Sequence, residues 1–167
     1  MRKMRIFFLA LTLLPALVFA QTAQIGLGPA VFFKSPILLG QDIDIEALNT
    51  NQISLGADFR FRMGWFKAEA LALVSVGEVH SVNMFLDAGL AVNLNLVTLS
   101  FGVGPNFTGN FNGSRPVQAG LNARFGLDVL MGMNSLGISY ITAFNIEDTI
   151  AIGTKTGLLG AHLLFWL

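Results

Sequence analysis

Gln52–Arg62 reads QISLGADFRFR. Ile53, Leu55, Ala57, Phe59 and Phe61 occupy one parity. Gln52, Ser54, Gly56, Asp58, Arg60 and Arg62 occupy the other. Successive side chains of a strand point to opposite faces, so this segment is a strand with one apolar face and one polar face, and its three charges all lie on the polar one.

The same split recurs on both sides of it. In Ser81–Asn93, Val82, Met84, Leu86, Ala88, Leu90 and Val92 oppose Asn83, Phe85, Asp87, Gly89, Ala91 and Asn93. In Val97–Phe107, Val97, Leu99, Phe101, Val103 and Phe107 oppose Thr98, Ser100, Gly102, Gly104 and Asn106. In Val117–Asp128, Val117, Ala119, Leu121, Ala123, Phe125 and Leu127 oppose Gln118, Gly120, Asn122, Arg124, Gly126 and Asp128. Weaker versions are Ile25–Phe33, Phe66–Val76, Leu136–Phe144 and Thr156–Leu167. The count is eight strands, each about 9–12 residues long, which suits a tilted membrane-crossing strand.

Composition demands a membrane and excludes helices as the way across it. Of 167 residues 53% are hydrophobic and only 12% charged, with a mean hydropathy of +0.64. A spanning helix needs about 18–20 consecutive apolar residues, and after residue 20 the longest such runs are Ala70–Val74 and Leu163–Leu167. Ten basic against ten acidic residues exclude a nucleic-acid binder by bulk charge. The absence of cysteine excludes a disulfide framework, a lipid-modified N-terminal cysteine and a cysteine zinc site.

Residues 1–20 read as a cleaved secretory signal peptide. Arg2, Lys3 and Arg5 precede an apolar run from Ile6 to Val18, and Val18-Phe19-Ala20 forms a small-residue cleavage site before Gln21. Residues 21–167 are then the exported domain, with seven bases against ten acids.

The expected fold is all-β, a closed antiparallel eight-stranded transmembrane β-barrel. Closure satisfies every backbone group, as lipid requires. If the first strand rises from the periplasm, the outer loops are roughly 34–51, 77–80, 108–116 and 145–155, and the inner turns roughly 63–65, 94–96 and 129–135. Eight charged residues fall within strands: Asp58, Arg60, Arg62, Lys67, Glu69, Asp87, Arg124 and Asp128. All lie on the parity opposite the apolar one, because a charge facing lipid at mid-depth costs about 2–4 kcal/mol. A soluble sandwich or lipocalin-like barrel, with its apolar face inward, requires a far more charged exterior.

An eight-stranded interior is filled by side chains. The four acids and four bases are therefore expected to converge as a lumen charge network, with Arg60, Arg62, Lys67, Glu69, Arg124 and Asp128 low in the barrel and Asp58 and Asp87 above them. The upper lumen is expected to hold mostly small or neutral residues, Gln52, Ser54, Gly102, Gly104, Gln118 and Gly120, with Phe85 and Leu73. That half either holds a cavity or uses its glycines to relieve crowding and receive neighbouring aromatics. Gly26-Leu27-Gly28-Pro29 and Gly102-Val103-Gly104-Pro105 echo each other four strands apart, and their prolines should mark bulges or the upper rim. Trp65 and Trp166 are expected at the periplasmic interface.

The tail Leu158–Leu167, LLGAHLLFWL, carries Leu159, Ala161, Leu163, Phe165 and Leu167 on one apolar parity. With the signal peptide and eight alternating strands, it makes residues 24–167 resemble the small eight-stranded outer-membrane proteins of diderm bacteria, the OmpX, OmpW and OmpA-membrane-domain group. The resemblance implies location in the bacterial outer membrane, lipid as the surrounding partner, and recognition of the tail by the barrel-assembly machinery. Family tails usually close on an aromatic; here the last residue is Leu167.

Three functions compete. The first is a monomeric barrel with a structural or surface-interaction role. Loop 34–51, with Asp42, Asp44 and Glu46 alternating with isoleucines, is then the candidate contact for an extracellular partner. The second, implied by the OmpW resemblance, is a narrow conduit or pocket for small apolar molecules. The third is a lipid-modifying enzyme, for which His80-Ser81 and His162 offer no evident nucleophile–base pair. No catalytic residue, metal site, cofactor or nucleic-acid partner is expected.

Overall fold

The structure, a computed structural model, describes residues 23–35, 53–76, 81–110, 117–145 and 156–167. The signal segment 1–20, Gln52, His80 and the connections at 36–51, 77–80, 111–116 and 146–155 lie outside them. Among the described residues every regular element is a strand: β1 (Gln24–Ser35), β2 (Ile53–Met63), β3 (Phe66–Val76), β4 (Ser81–Leu94), β5 (Val97–Asn110), β6 (Val117–Met131), β7 (Asn134–Asn145) and β8 (Thr156–Trp166). Each pairs antiparallel with its neighbours in sequence, and β1 pairs with β8, so the sheet closes. The chain is an all-β, eight-stranded closed barrel.

Three two-residue turns join the strands at one end: Gly64-Trp65, Asn95-Leu96 and Gly132-Met133. The first residue of each has positive φ (61°, 74° and 67°), which a tight hairpin turn demands of its first central position. The third turn is tighter than the expected 129–135. Val129, Leu130 and Met131 continue β6, and Gly132 supplies the reversal.

The two glycine–proline echoes sit inside the wall rather than at the rim. Pairing of β1 with β8 lapses at Gly28 and Pro29, between Leu27↔Phe165 and Ala30↔His162. Pairing of β4 with β5 lapses opposite Gly104 and Pro105, between Phe85↔Asn106 and Ala88↔Val103. The register is the same on both sides of each gap, so neither is a bulge. Proline has no N–H to donate, and a Cβ on Gly28 or Gly104 would collide with the neighbouring strand's carbonyl, Leu163 or Leu86 respectively.

Polarity is reversed relative to a water-soluble protein. Phe59, Leu86, Leu90, Leu121, Phe125 and Phe165 lie exposed on the outside, with Phe61 and Leu163 half-buried beside them. Asp58, Arg60, Lys67, Glu69, Asp87, Arg124 and Asp128 are buried inside.

Candidate functional site

The lumen is filled in layers, built from the inward parity of all eight strands. Nearest the short turns, Arg62 and Trp166 face one another. The Arg62 guanidinium carbon lies 4.8 Å from the indole centroid. Its Nε and Nη2 donate to Gln24 Oε1 (3.2 and 2.7 Å) and its Nη1 to Thr98 Oγ1 (3.2 Å). Trp166 Nε1 donates to Ser135 Oγ at 2.9 Å. Two expectations are corrected here. Arg62 is half-buried and bonded to neutral oxygens, because it sits one inward step below Arg60, at the mouth. Trp166 is at the short-turn end but points into the barrel, since it shares parity with His162 and Leu164; Trp65 alone points outward.

Above this mouth lies the ionic layer. Arg60 is its hub: Nη2 to Asp58 Oδ2 at 2.9 Å, Nε to Glu69 Oε1 at 2.8 Å, and Nη1 to Asp128 Oδ2 at 2.8 Å. Lys67 Nζ pairs with Glu69 Oε2 at 2.8 Å. Arg124 reaches across from β6, its Nη2 2.6 Å from Asp58 Oδ2 and its Nε 3.7 Å from Glu69 Oε2. Arg124 stands at mid-height rather than low, because β6 runs on to Met131. Asp87 bonds Asn122 instead of a cation.

His162 also belongs to this layer, although only its inward parity marked it in the sequence. Its Nε2 lies 2.5 Å from Asp128 Oδ1 and 2.8 Å from Arg60 Nη2. One ring nitrogen can donate to the carboxylate or accept from the guanidinium, not both. Ser139 Oγ is 3.5 Å from Nδ1. Ser139, His162 and Asp128 are the residue types of a hydrolytic relay, yet all three are buried and Ser139 also accepts from Arg124 Nη2 at 3.2 Å.

The layer toward the long loops is apolar: Phe32, Leu71, Leu73, Phe85 and Ile141, with Ala30. This is where empty space was one expectation. Phe32, from the weakly patterned β1, fills it, and Gly160 makes room, since a Cβ there would meet the Phe32 ring. The Arg124 guanidinium carbon stands 5.9 Å from the same ring, joining the two layers. Nearest the outer mouth, Ser54, Ser75, Asn83 and Thr108 form a hydrogen-bonded chain across β2–β5. A cavity of about 10 Å³ lies beside Arg60, Arg62, Lys67, Glu69 and Trp166, room for about one water molecule.

Closed eight-strand topology, short turns at one end and an apolar exterior over a charged interior together decide the architecture. The fold is that of the small eight-stranded outer-membrane β-barrels. Among solved structures the chain is similar to the N-terminal β-barrel domain of Pseudomonas aeruginosa OprF, with a TM-score of 0.64 at 10% identity, covering 86% of this chain and 97% of that one. It is also similar to Ail, the attachment invasion locus protein of Yersinia pestis, with a TM-score of 0.52 at 14% identity, covering 87% and 97%. No protein-family model and no curated protein matches the sequence.

Gly137 of this outer-membrane-type barrel offers a local test of the ionic layer. A Cβ at Gly137 would collide with both Asp128 Oδ1 and His162 Nε2. Gly137→Ala is therefore expected to push the pair apart and destabilise the barrel by about 1–3 kcal/mol, as overpacking does. The readout is the urea midpoint of the chain folded into lipid vesicles. An unchanged midpoint would mean that the histidine does not occupy this position.

Proposed function

We propose that residues 21–167 form a monomeric barrel of the bacterial outer membrane, exported by the cleaved signal at 1–20, with a structural or surface-interaction role and no enzymatic activity. The observation that carries this reading is the stacking of an ionic layer and an apolar layer in series inside the wall. In this reading either layer alone is enough to close the axis. The competing reading, a pocket or conduit for small apolar molecules, needs free volume in the upper lumen, and among the described residues Phe32, Phe85, Leu71 and Leu73 occupy it.

Conductance across a planar bilayer tests the seal. The unmodified chain is expected to show no porin-like conductance. Arg124→Ala and Phe85→Ala are each expected to stay closed, because the other layer remains. The Arg60→Ala/Phe85→Ala double variant, which thins both, is expected to conduct. Porin-like conductance without any substitution would overturn the sealed reading.

The surface role falls to the long connections. They carry Asp42, Asp44, Glu46, Glu78, Glu147 and Asp148 against Arg115 and Lys155, with Lys34 beside them at the loop end of β1. The eight lumen charges balance, so the whole negative excess of the exported chain lies at that end. Ail was solved in complex with the heparin analogue sucrose octasulfate, a polyanion. The acidic loops here favour a cationic partner, with 34–51 as the candidate contact. Leu159, Ala161, Leu163, Phe165 and Leu167, on the outward parity at the end of the chain, are the candidate signal for the barrel-assembly machinery.

A further inference from the structure

We propose that the short-turn rim of the barrel is itself a lipid-contact surface: the side chains at the turn tips insert into the hydrocarbon of the adjoining leaflet instead of projecting into water. This rests on the membrane reading above and extends it to a part of the molecule where water is the ordinary solvent.

Three features carry it. First, the second residue of every short turn is large and apolar. Trp65, Leu96 and Met133 are 68%, 69% and 72% exposed, and Leu167 at the chain's end is 87% exposed. Tight turns in water favour Gly, Asn, Asp, Ser and Pro, and these turns use Gly or Asn only at the position that needs positive φ. None of Met63–Phe66, Leu94–Val97 or Met131–Asn134 contains a charge.

Second, the carbonyl of the apolar residue at each tip is already paired within the barrel. Trp65 O accepts from Ala91 N at 2.7 Å, Leu96 O from Leu130 N at 2.8 Å, and Met133 O from Trp166 N at 2.8 Å. Leu167 N donates to Ile25 O at 2.8 Å. Each hairpin tip thus leans on the next strand round the barrel, and the C-terminus closes the ring on β1. A carbonyl left unpaired in hydrocarbon costs several kcal/mol; here the carbonyls of Trp65, Leu96 and Met133 already have their donors.

Third, large apolar residues of the exterior continue into all three tips, with Asn134 the one polar residue on the outward parity beside them among the described residues. Leu94 leads to Leu96, Met131 to Met133, and Phe66 stands beside Trp65, all outward and exposed. The polar groups at this level are the side chains of Asn93, Asn95 and Asn134, Arg62 and Gln24 inside the mouth, and the terminal carboxylate of Leu167, and they set the height of the headgroups. The bilayer boundary then passes through the rim, and the turns offer no polar loop for a soluble partner to grip.

The test uses the mature chain folded into phosphatidylcholine vesicles. In Trp166→Phe, Trp65 is the single tryptophan. Its emission is expected to be blue-shifted, quenched by bromine on the acyl chains and insensitive to acrylamide in the water. Met133→Trp in a Trp65→Phe background, read against its parent, should behave alike and covers the case in which Trp166→Phe fails to fold. Leu121→Trp in the same Trp65→Phe background, read against that parent, reports the middle of the outer face. Quenching of Leu121→Trp by brominated chains while the rim tryptophans respond only to acrylamide would overturn the rim proposal and leave the barrel in the membrane. If none of the three is quenched from the lipid side, the membrane reading falls, and the rim proposal with it.

Discussion

Arg60→Ala is expected to lower the stability of the folded barrel by about 3–5 kcal/mol, more than truncation of any other lumen cation. The reason is the number of carboxylates left behind. Asp58 keeps Arg124 and Glu69 keeps Lys67, but Asp128 keeps only His162. A buried carboxylate that loses its cation pays its desolvation penalty without return. Lys67→Ala should cost less, because Glu69 still faces Arg60 at 2.8 Å. Urea titration of vesicle-folded protein measures both. Removing the orphaned partner as well, in Arg60→Ala/Asp128→Ala, should recover part of the loss, and the double-mutant cycle reports the coupling. Equal and small effects for Arg60→Ala and Lys67→Ala would mean that water enters the layer and screens it.

What was legible in the sequence, and what was not, follows from where lipid imposes a rule. Lipid outside and a crowded lumen inside force period two along every strand, so strand number and the facing of Asp58, Arg60 and Glu69 were readable from parity. Parity is silent on height. Arg60 and Arg62 share a face, yet one is the hub of three ion pairs and the other caps the mouth on an indole ring. The position of the β6–β7 turn was blurred because Val129-Leu130-Met131 is apolar on both parities, and only Gly132 marks the reversal. In the C-terminal segment parity turns His162 inward but names none of its partners, and Trp166, on the same parity, meets Arg62 only through the closure of β8 on β1. Upper-lumen glycines suggested space. Their effect is the opposite at Gly160, where a missing side chain lets Phe32 fill the barrel.

Phe125→Arg is expected to cost about 2–4 kcal/mol in a bilayer, and the cost should depend on depth. Phe125 is 53% exposed in mid-β6 and packs against Phe101, ring centroids 4.8 Å apart. Val117, at the long-loop end of the same strand and 64% exposed, is close enough to the interface for an arginine to reach headgroups, so Val117→Arg should cost about 0–1 kcal/mol. If water lay outside the barrel, an arginine at either site would sit on a solvated surface. The two substitutions would then fall within about 0.5 kcal/mol of the parent, apart from the lost Phe101 contact. Phe125→Leu gauges that contact, because it keeps the site apolar while removing the ring. A charge-specific penalty that remains after this correction, and that shrinks from Phe125 to Val117, requires a low-dielectric medium with an edge outside the wall. Flat, small penalties at both sites would return the exposed phenylalanines and leucines to a water-facing surface. Two further inferences would go with them: the lipid-facing rim, and the reason why the strand charges share one parity.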